Sequence, residues 1–363
     1  MKIIFGLLFI ICIEITGGEW LSAQDSIYFN MKTQARQHLD NRNYDSALTI
    51  YRDLLHRFPK EPEYQYGAAV SLTMLNRDPE EALTMLRSVN ISGYNPLSWY
   101  YTGLLEHHNF LFDDAIKAYS KFTLVGKSAD IKSLGITRLI EMAKNGLEFT
   151  HTAQSLKVIE AKPISPGQIE KVSEINGTGK LVRKPIEFCS KNDIREEYRP
   201  MMYLPIYTEM NDYVYVAGYD KQRKGIKQLY RVRNINHETW GIPEILDKVI
   251  NTPYDEEYPY FDARNSTLYF SSKGHSSMGG YDIFKSVYDW NAKSWSKPEN
   301  LGFPINTPYD DYFYIMDEFS LTASFVSNRQ TGPGQAILYK IRQSRDTASV
   351  MLATIDEIQK ASR

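Results

Sequence analysis

The sequence predicts two repeat arrays in series, an α-solenoid of paired helices followed by antiparallel β-sheet repeats. Three observations carry this. An alanine-centred helical theme recurs in the first half at spacings of 35 and 33 residues. "NTPYDEEYPYF" from Asn251 returns 55 residues later as "NTPYDDYFYI" from Asn306. From Tyr198 onward lie 17 of the 26 tyrosines, an enrichment that favours β-structure there.

The chain opens with "MKIIFGLLFIICIEITGGEWLSAQ". Lys2 precedes an apolar run from Ile3 to Ile13, and Ala23 supplies a small residue before Gln24. This is the pattern of a cleaved secretory leader over residues 1–23. Glu14 interrupts the run well short of the roughly 20 apolar residues that span a bilayer. A lipoprotein leader using Cys12 would need a small residue before the cysteine, and Ile11 stands there. Removing Lys2, Glu14 and Glu19 with the leader leaves 41 basic against 42 acidic residues. So near-neutral a chain gives no electrostatic reason to expect nucleic acid as a partner. Cys189 then remains alone, so packing rather than an intramolecular disulfide must hold the fold.

"YDSALTIYRDLL" from Tyr44, "PEEALTMLRSV" from Pro79 and "FDDAIKAYSKF" from Phe112 share the theme. Each places apolar residues at i, i+3, i+4 and i+7, one buried helical face. Ala47, Ala82 and Ala115 sit at its point of close helix approach. Residues 26–147 resemble tetratricopeptide repeats. Trp99, Gly103, Ala115 and Tyr119 match that family's pattern in the third repeat, and Ala47, Tyr51 and Pro59 in the first. Ala35 stands where the family uses Gly, and Tyr94 replaces the terminal Pro of the second repeat. "IKSLGITRLIEMAKNGL" is expected to cap the stack. The resemblance implies a concave groove lined by first helices, with Lys32, Arg36, Tyr66, Tyr100 and His107 facing it.

Residues 148–180 carry Pro and Gly punctuation without a helical period and read as a linker or irregular strands. Beyond them the echo extends outward: Trp240 and Pro243 recur as Trp295 and Pro298, and Asp255 as Asp310. The middle copy alternates through "YPYFD", "TLYFSS", "YDIFKSVYD" and "SWSKP", four short antiparallel strands divided by turn residues. Four strands per repeat make a propeller blade, which must stack on neighbours to bury its faces. Asn-Thr-Pro-Tyr-Asp is then the link between blades, since Pro cannot donate into a central ladder. The tyrosine is expected to pack between blades. The middle copy resembles TolB-like, WD-repeat-like propeller repeats through Gly279, Gly280, Asp282, Ile283, Trp295, Pro298 and "LGFPINT". Three blades are clear over residues 181–341. Either residues 150–197 add a degenerate fourth, or the array stays open. Residues 342–363 form a tail or helix.

No His-x-x-x-His, Cys-x-x-Cys or phosphate-loop pattern occurs, and "GHSSMGG" lacks nucleophile-elbow spacing. "YDEEY" and "YDDY" lack the alternating ligands and central Gly of a calcium loop. The expectation is therefore a non-enzymatic protein without metal or cofactor. Its architecture resembles periplasmic proteins of gliding-motility and type IX secretion systems. The resemblance implies a scaffold of the Gram-negative envelope, periplasmic or associated with the outer membrane or peptidoglycan, that binds an envelope protein or peptide segment. Relatives often add an OmpA-like domain that is missing here. The runner-up reading is a glycan-binding or glycan-cleaving propeller, whose exposed aromatics would stack on sugar rings.

Overall fold

The computed structural model describes residues 17–154, 156–165, 179–183, 201–205, 213–219, 225–233, 240–317, 321–329, 331–343, 349–352 and 354–362. Residues 1–16 of the expected leader, with Cys12, lie outside them, as do Cys189 and the linker stretch 166–178. Among the described residues no helix is long and apolar enough to cross a membrane. The chain forms two compact units, Met1–Asn95 and Pro96–Arg363.

The first unit holds α1 (Gly17–Asp40), α2 (Tyr44–Arg57), α3 (Pro62–Leu75) and α4 (Pro79–Ser92), each packed on the next. Proline opens α3 and α4 where its missing N–H costs nothing, and Gly93 closes α4 in the left-handed region at φ +67°. Ala47 and Ala82 are fully buried, as the helical theme requires. Gly67 lets α3 approach α2 closely, because a Cβ there would fall 2.2 Å from the Tyr51 ring.

The second unit begins with α5 (Leu97–His108), α6 (Phe112–Val125), α7 (Ser128–Ser133) and α8 (Ile136–Thr150). Gly103 faces Tyr119 as Gly67 faces Tyr51, with a built Cβ 2.6 Å from the ring. The expected capping helix is two helices, broken at Gly135 with φ +62°.

Three antiparallel sheets follow. The first runs β3 (Gly179–Arg183), β4 (Met201–Pro205), β5 (Tyr213–Tyr219), β6 (Lys227–Arg233) and β7 (Glu244–Ile245) in sequence order. The second runs β8 (Glu256–Asp262), β9 (Thr267–Ser272), β10 (Asp282–Asp289) and β11 (Ser294–Trp295), with β12 (Glu299–Asn300) also on β10. The third joins β13 (Asp311–Asp317), β14 (Thr322–Ser327) and β15 (Ala336–Gln343). Its fourth strand is β2 (Leu156–Ile164), from the stretch read as a linker or irregular strands. β2 could not be delimited beforehand because its residues 157–163 are exposed and it carries no apolar–polar alternation. A short pair, β1 (Thr152–Gln154) with β16 (Ser349–Met351), precedes the C-terminal helix α9 (Ile355–Ala361). A capping box at Thr354 and Glu357 starts α9.

The echo has a definite physical meaning. Asn251 accepts from Leu229 N at 2.8 Å and donates to Leu229 O and Leu246 O, so its amide pairs like a strand residue. Asn306 repeats this on Ile283 N and O, both at 2.8 Å, and also donates to Asn300. The following threonine bonds a carboxylate four residues on, Thr252 to Glu256 and Thr307 to Asp311. Asp255 accepts from Lys227 N, and Asp310 from Tyr281 N. Each copy thus ties the end of one sheet to the start of the next. Trp295 is buried against Tyr215, Phe261 and Tyr288, Pro298 is buried, Pro243 is half-buried, and Trp240 packs on Val214, Val216 and Val232.

The echo tyrosines do something other than pack between sheets. Tyr254 lies under the Arg138 guanidinium of α8, 5.1 Å from its ring centre, and Tyr309 stacks on His108 of α5 at 4.8 Å. They belong to a joint between helices and sheets, built on residues 273–281. Arg138 donates to Lys273 O and Gly274 O, Asn145 to Ser277 O, and His107 Nε2 to Met278 O. From within, the Asp282 carboxylate accepts from Met278 N, Gly279 N and Asn300. Gly279 and Gly280 are required here: built Cβ atoms would fall 2.2 Å from Thr307 O and 2.0 Å from an Asp310 oxygen. Met278 joins Phe110, Phe112, Ala143, Phe303 and Ile358 in one core. These bonds are why α5–α8 belong with the sheets and the helical region expected at 24–147 is divided.

Two predictions follow from this packing. Asn306→Ala leaves Ile283 N without its partner at a fully buried site, while Ile283 O keeps the bond from Leu301 N, and should cost about 2 kcal/mol in urea unfolding. His107 is held near a pKa of about 3, first by burial and then by His108, so it stays neutral in the fold. The unfolded imidazole titrates near 6.5, so the stability this contributes is complete above that pH and is lost as pH falls toward 3. At pH 5 the loss reaches about 2 kcal/mol, and His107→Gln should flatten the profile of melting temperature against pH.

Candidate functional site

Of the five expected groove residues, three come together in the first unit. Lys32 and Arg36 stand one turn apart on α1, and both reach the Glu63 carboxylate of α3, at 2.6 and 2.9 Å. Glu63 is nearly buried, whereas the Arg36 side chain is 57% exposed. The Glu63 charge, followed by a hydrogen bond to Tyr94, raises the Arg36 pKa. Tyr66, half-buried on α3, packs against Tyr94 with ring centres 6.0 Å apart. The result is one patch of two cations, one internal carboxylate and two tyrosines. Glu63 and Tyr94 were missed as site residues, since sequence spacing does not show which carboxylate closes the gap between α1 and α3.

Tyr100 and His107 lie in the second unit. Tyr100 is half-buried and packs against Tyr101 and Phe122. His107 does not line an open groove. It is 3% exposed, edge-on to Phe112 and Tyr119, and spends its Nε2–H on Met278 O. The face that repeat geometry turns inward on α5 is occupied by the chain's own 273–281 segment.

A second cluster was not legible beforehand. Where the strand starts of the three sheets converge, Lys227 of β6 and the Tyr281 hydroxyl both bond the Glu257 carboxylate of β8. Lys273 pairs with Asp255 at 3.2 Å and lies 4.5 Å over the Tyr281 ring. Tyr258 packs edge-on to Tyr281 and 5.1 Å from Tyr312 of β13. Asp310 is committed to Tyr281 N and the Asn328 amide. Burial raises the hydroxyl pKa of Tyr258, Tyr281 and Tyr312, the last to about 12, so all three rings are neutral donors. Burial works against the Lys227 charge, but Glu257 more than compensates and the ammonium is retained.

Two bulges shape this end. Register slips between Glu257 and Tyr260 in β8, and between Tyr312 and Ile315 in β13. Tyr258 and Phe313 take φ +52° and +63° there, a region bulky residues rarely adopt. Such bulges re-aim side chains beside functional sites. Among the described residues, no group of three or more His, Cys, Asp or Glu is arranged to hold a metal ion.

None of the curated proteins compared matches the chain. Among solved structures, the chain is similar to yeast Tom70 at 17% identity and a TM-score of 0.30. That likeness covers 35% of this chain and only 25% of the Tom70 chain, so this chain spans a quarter of its length. Residues 32–96, from α1 through the end of the first unit, match the tetratricopeptide repeat family.

Proposed function

We propose that the protein is a non-enzymatic interaction scaffold that holds an extended segment of a partner protein against α1 and α3. The carrying observation is the patch of Lys32, Arg36, Tyr66 and Tyr94 on helices that match a family of interaction repeats. Arginine and tyrosine are favoured interface anchors, because they offer large contact area with a polar tip. Glu63 holds the cations in place and takes up one of their two charges. The sheets of the second unit are read as propeller-like blades. The pairing of β2 with β15 supports that reading, since a strand preceding the first sheet completes the last one. The leader and the resemblance to type IX secretion and gliding proteins support a place in the Gram-negative envelope. A second reading, glycan binding by the sheet region, draws its support from the cluster around Glu257.

Affinity capture from a detergent-solubilised envelope tests the scaffold reading, with wild type and a Tyr66→Ala, Tyr94→Ala double variant side by side. A partner held by wild type should bind the variant weaker by about 2 kcal/mol or more, roughly 30-fold. Equal affinity with an unchanged circular dichroism spectrum would move the site off α1 and α3.

A further inference from the structure

We propose that Glu256 makes the link between the first and second sheets a proton-operated latch, tight when its carboxyl is protonated and weakened when it is ionised. This goes beyond the scaffold reading and does not rest on it.

The two copies of the echo differ at one point. Thr252 and Ser272 hold Glu256 at the start of β8, and Thr307 and Ser327 hold Asp311 at the start of β13. Both carboxylates are fully buried. Asp311 receives the buried Arg329 guanidinium, two residues after Ser327. Two residues after Ser272 the chain has Gly274 instead. A Cβ built there would fall 2.1 Å from Thr252 Oγ1, so any side chain would displace the threonine. Among the described residues Glu256 is therefore bonded by neutral donors alone. A charge buried without a cation carries its desolvation cost uncompensated.

Those donors are sorted by type. Glu256 Oε2 accepts from Thr252 N and Gln228 Nε2, both at 3.0 Å, groups that only donate. Oε1 faces two hydroxyls, Thr252 Oγ1 at 2.5 Å and Ser272 Oγ at 2.8 Å, which accept as well as donate. A proton on Oε1 thus meets an acceptor, and Oε2 keeps both its bonds. Gln228 belongs to β6 and Ser272 to β9, so this one carboxyl joins two sheets.

The neighbouring charges are committed elsewhere. Lys227 of β6 pairs with Glu257 of β8, and Lys273 with Asp255, whose like charge opposes ionisation of Glu256. Arg138 of α8 donates to Lys273 O and Gly274 O and pairs with Glu141, and His275 bonds Ile250 O. Burial, the main cause, raises the Glu256 pKa from 4.5 to about 7. The closed link therefore binds the proton more tightly than an opened, hydrated one. Its stability is greatest below 4.5 and is lost as pH rises toward 7.

The test is carboxyl carbon NMR of the whole protein, with hydrogen exchange of β5 and β6 read at about pH 5 and about pH 7. The Glu256 carboxyl, assigned through its own backbone, should titrate near neutrality. After correction for intrinsic exchange rates, opening of β5 and β6 should rise by roughly tenfold or more between the two conditions. Glu256→Gln places an amide N–H₂ where the proton would sit and should remove that rise. A Glu256 midpoint in the ordinary carboxylate range would overturn the proposal, and it needs no variant that folds. So would the same rise in wild type and Glu256→Gln.

Discussion

The second unit depends on one arrangement: side chains of α5 and α8 donate to the carbonyls of residues 273–278, while Asp282 accepts from the N–H groups of Met278 and Gly279 behind them. A segment rich in Gly and Ser has little side chain of its own to bury. Its polar backbone must find partners, because an unpaired buried amide costs as much as a lost hydrogen bond. Here the helices supply one set and the sheet the other. Met278 adds an apolar anchor between Phe112 and Phe303. α9 closes the same core through Ile358, and Gln359 donates to Asn109 O at the end of α5. Arg329, itself buried, bonds Asp311 and the carbonyls of Pro304, Ile305 and Ser362, so the C-terminus is tied to the third sheet.

Much of this was legible in the sequence, and the limits have physical causes. The helical theme was readable because Ala47, Ala82 and Ala115 recur at the same point of an apolar helical face, and all three are fully buried. The 55-residue echo was readable because Asn251 and Asn306 perform the same amide pairing twice. What could not be read was contact between distant segments. Lys227, Glu257 and Tyr312 come from three different sheets, and no local pattern marks their convergence. His107 looked like a groove residue because helical period sets the face a side chain occupies. It does not say whether another part of the chain already covers that face. β2, exposed along almost its whole length, has apolar residues that do not alternate with polar ones, so no strand face could be read from it.

The division of the helices changes what the repeats can offer a partner. On α5 and α8 the polar side chains that face inward are spent on the chain's own loop. On α1 and α3 they are arranged around Glu63, with Arg36 more than half exposed. The two sets share a backbone plan and differ in occupancy, which is why the partner site we propose lies in the first unit alone. Burial also sets their response to acid. His107 and His108 are held at about 3 and 4 and His275 is lowered as well, so the histidines of the joint resist protonation, while the same burial pushes Asp282 up to about 8.

The central claim is that α5–α8 and the sheets form one cooperative unit through residues 273–281. Native-state hydrogen exchange under mild urea, read by mass spectrometry, tests it most directly, since elements of one cooperative unit open at a common free energy. The account predicts that amides of α5, α6 and α8 share the opening free energy of β8, β9 and β10, while α2 and α3 open at a different one. Common opening of all the helices, from α2 through α8, with the sheets still protected would contradict it.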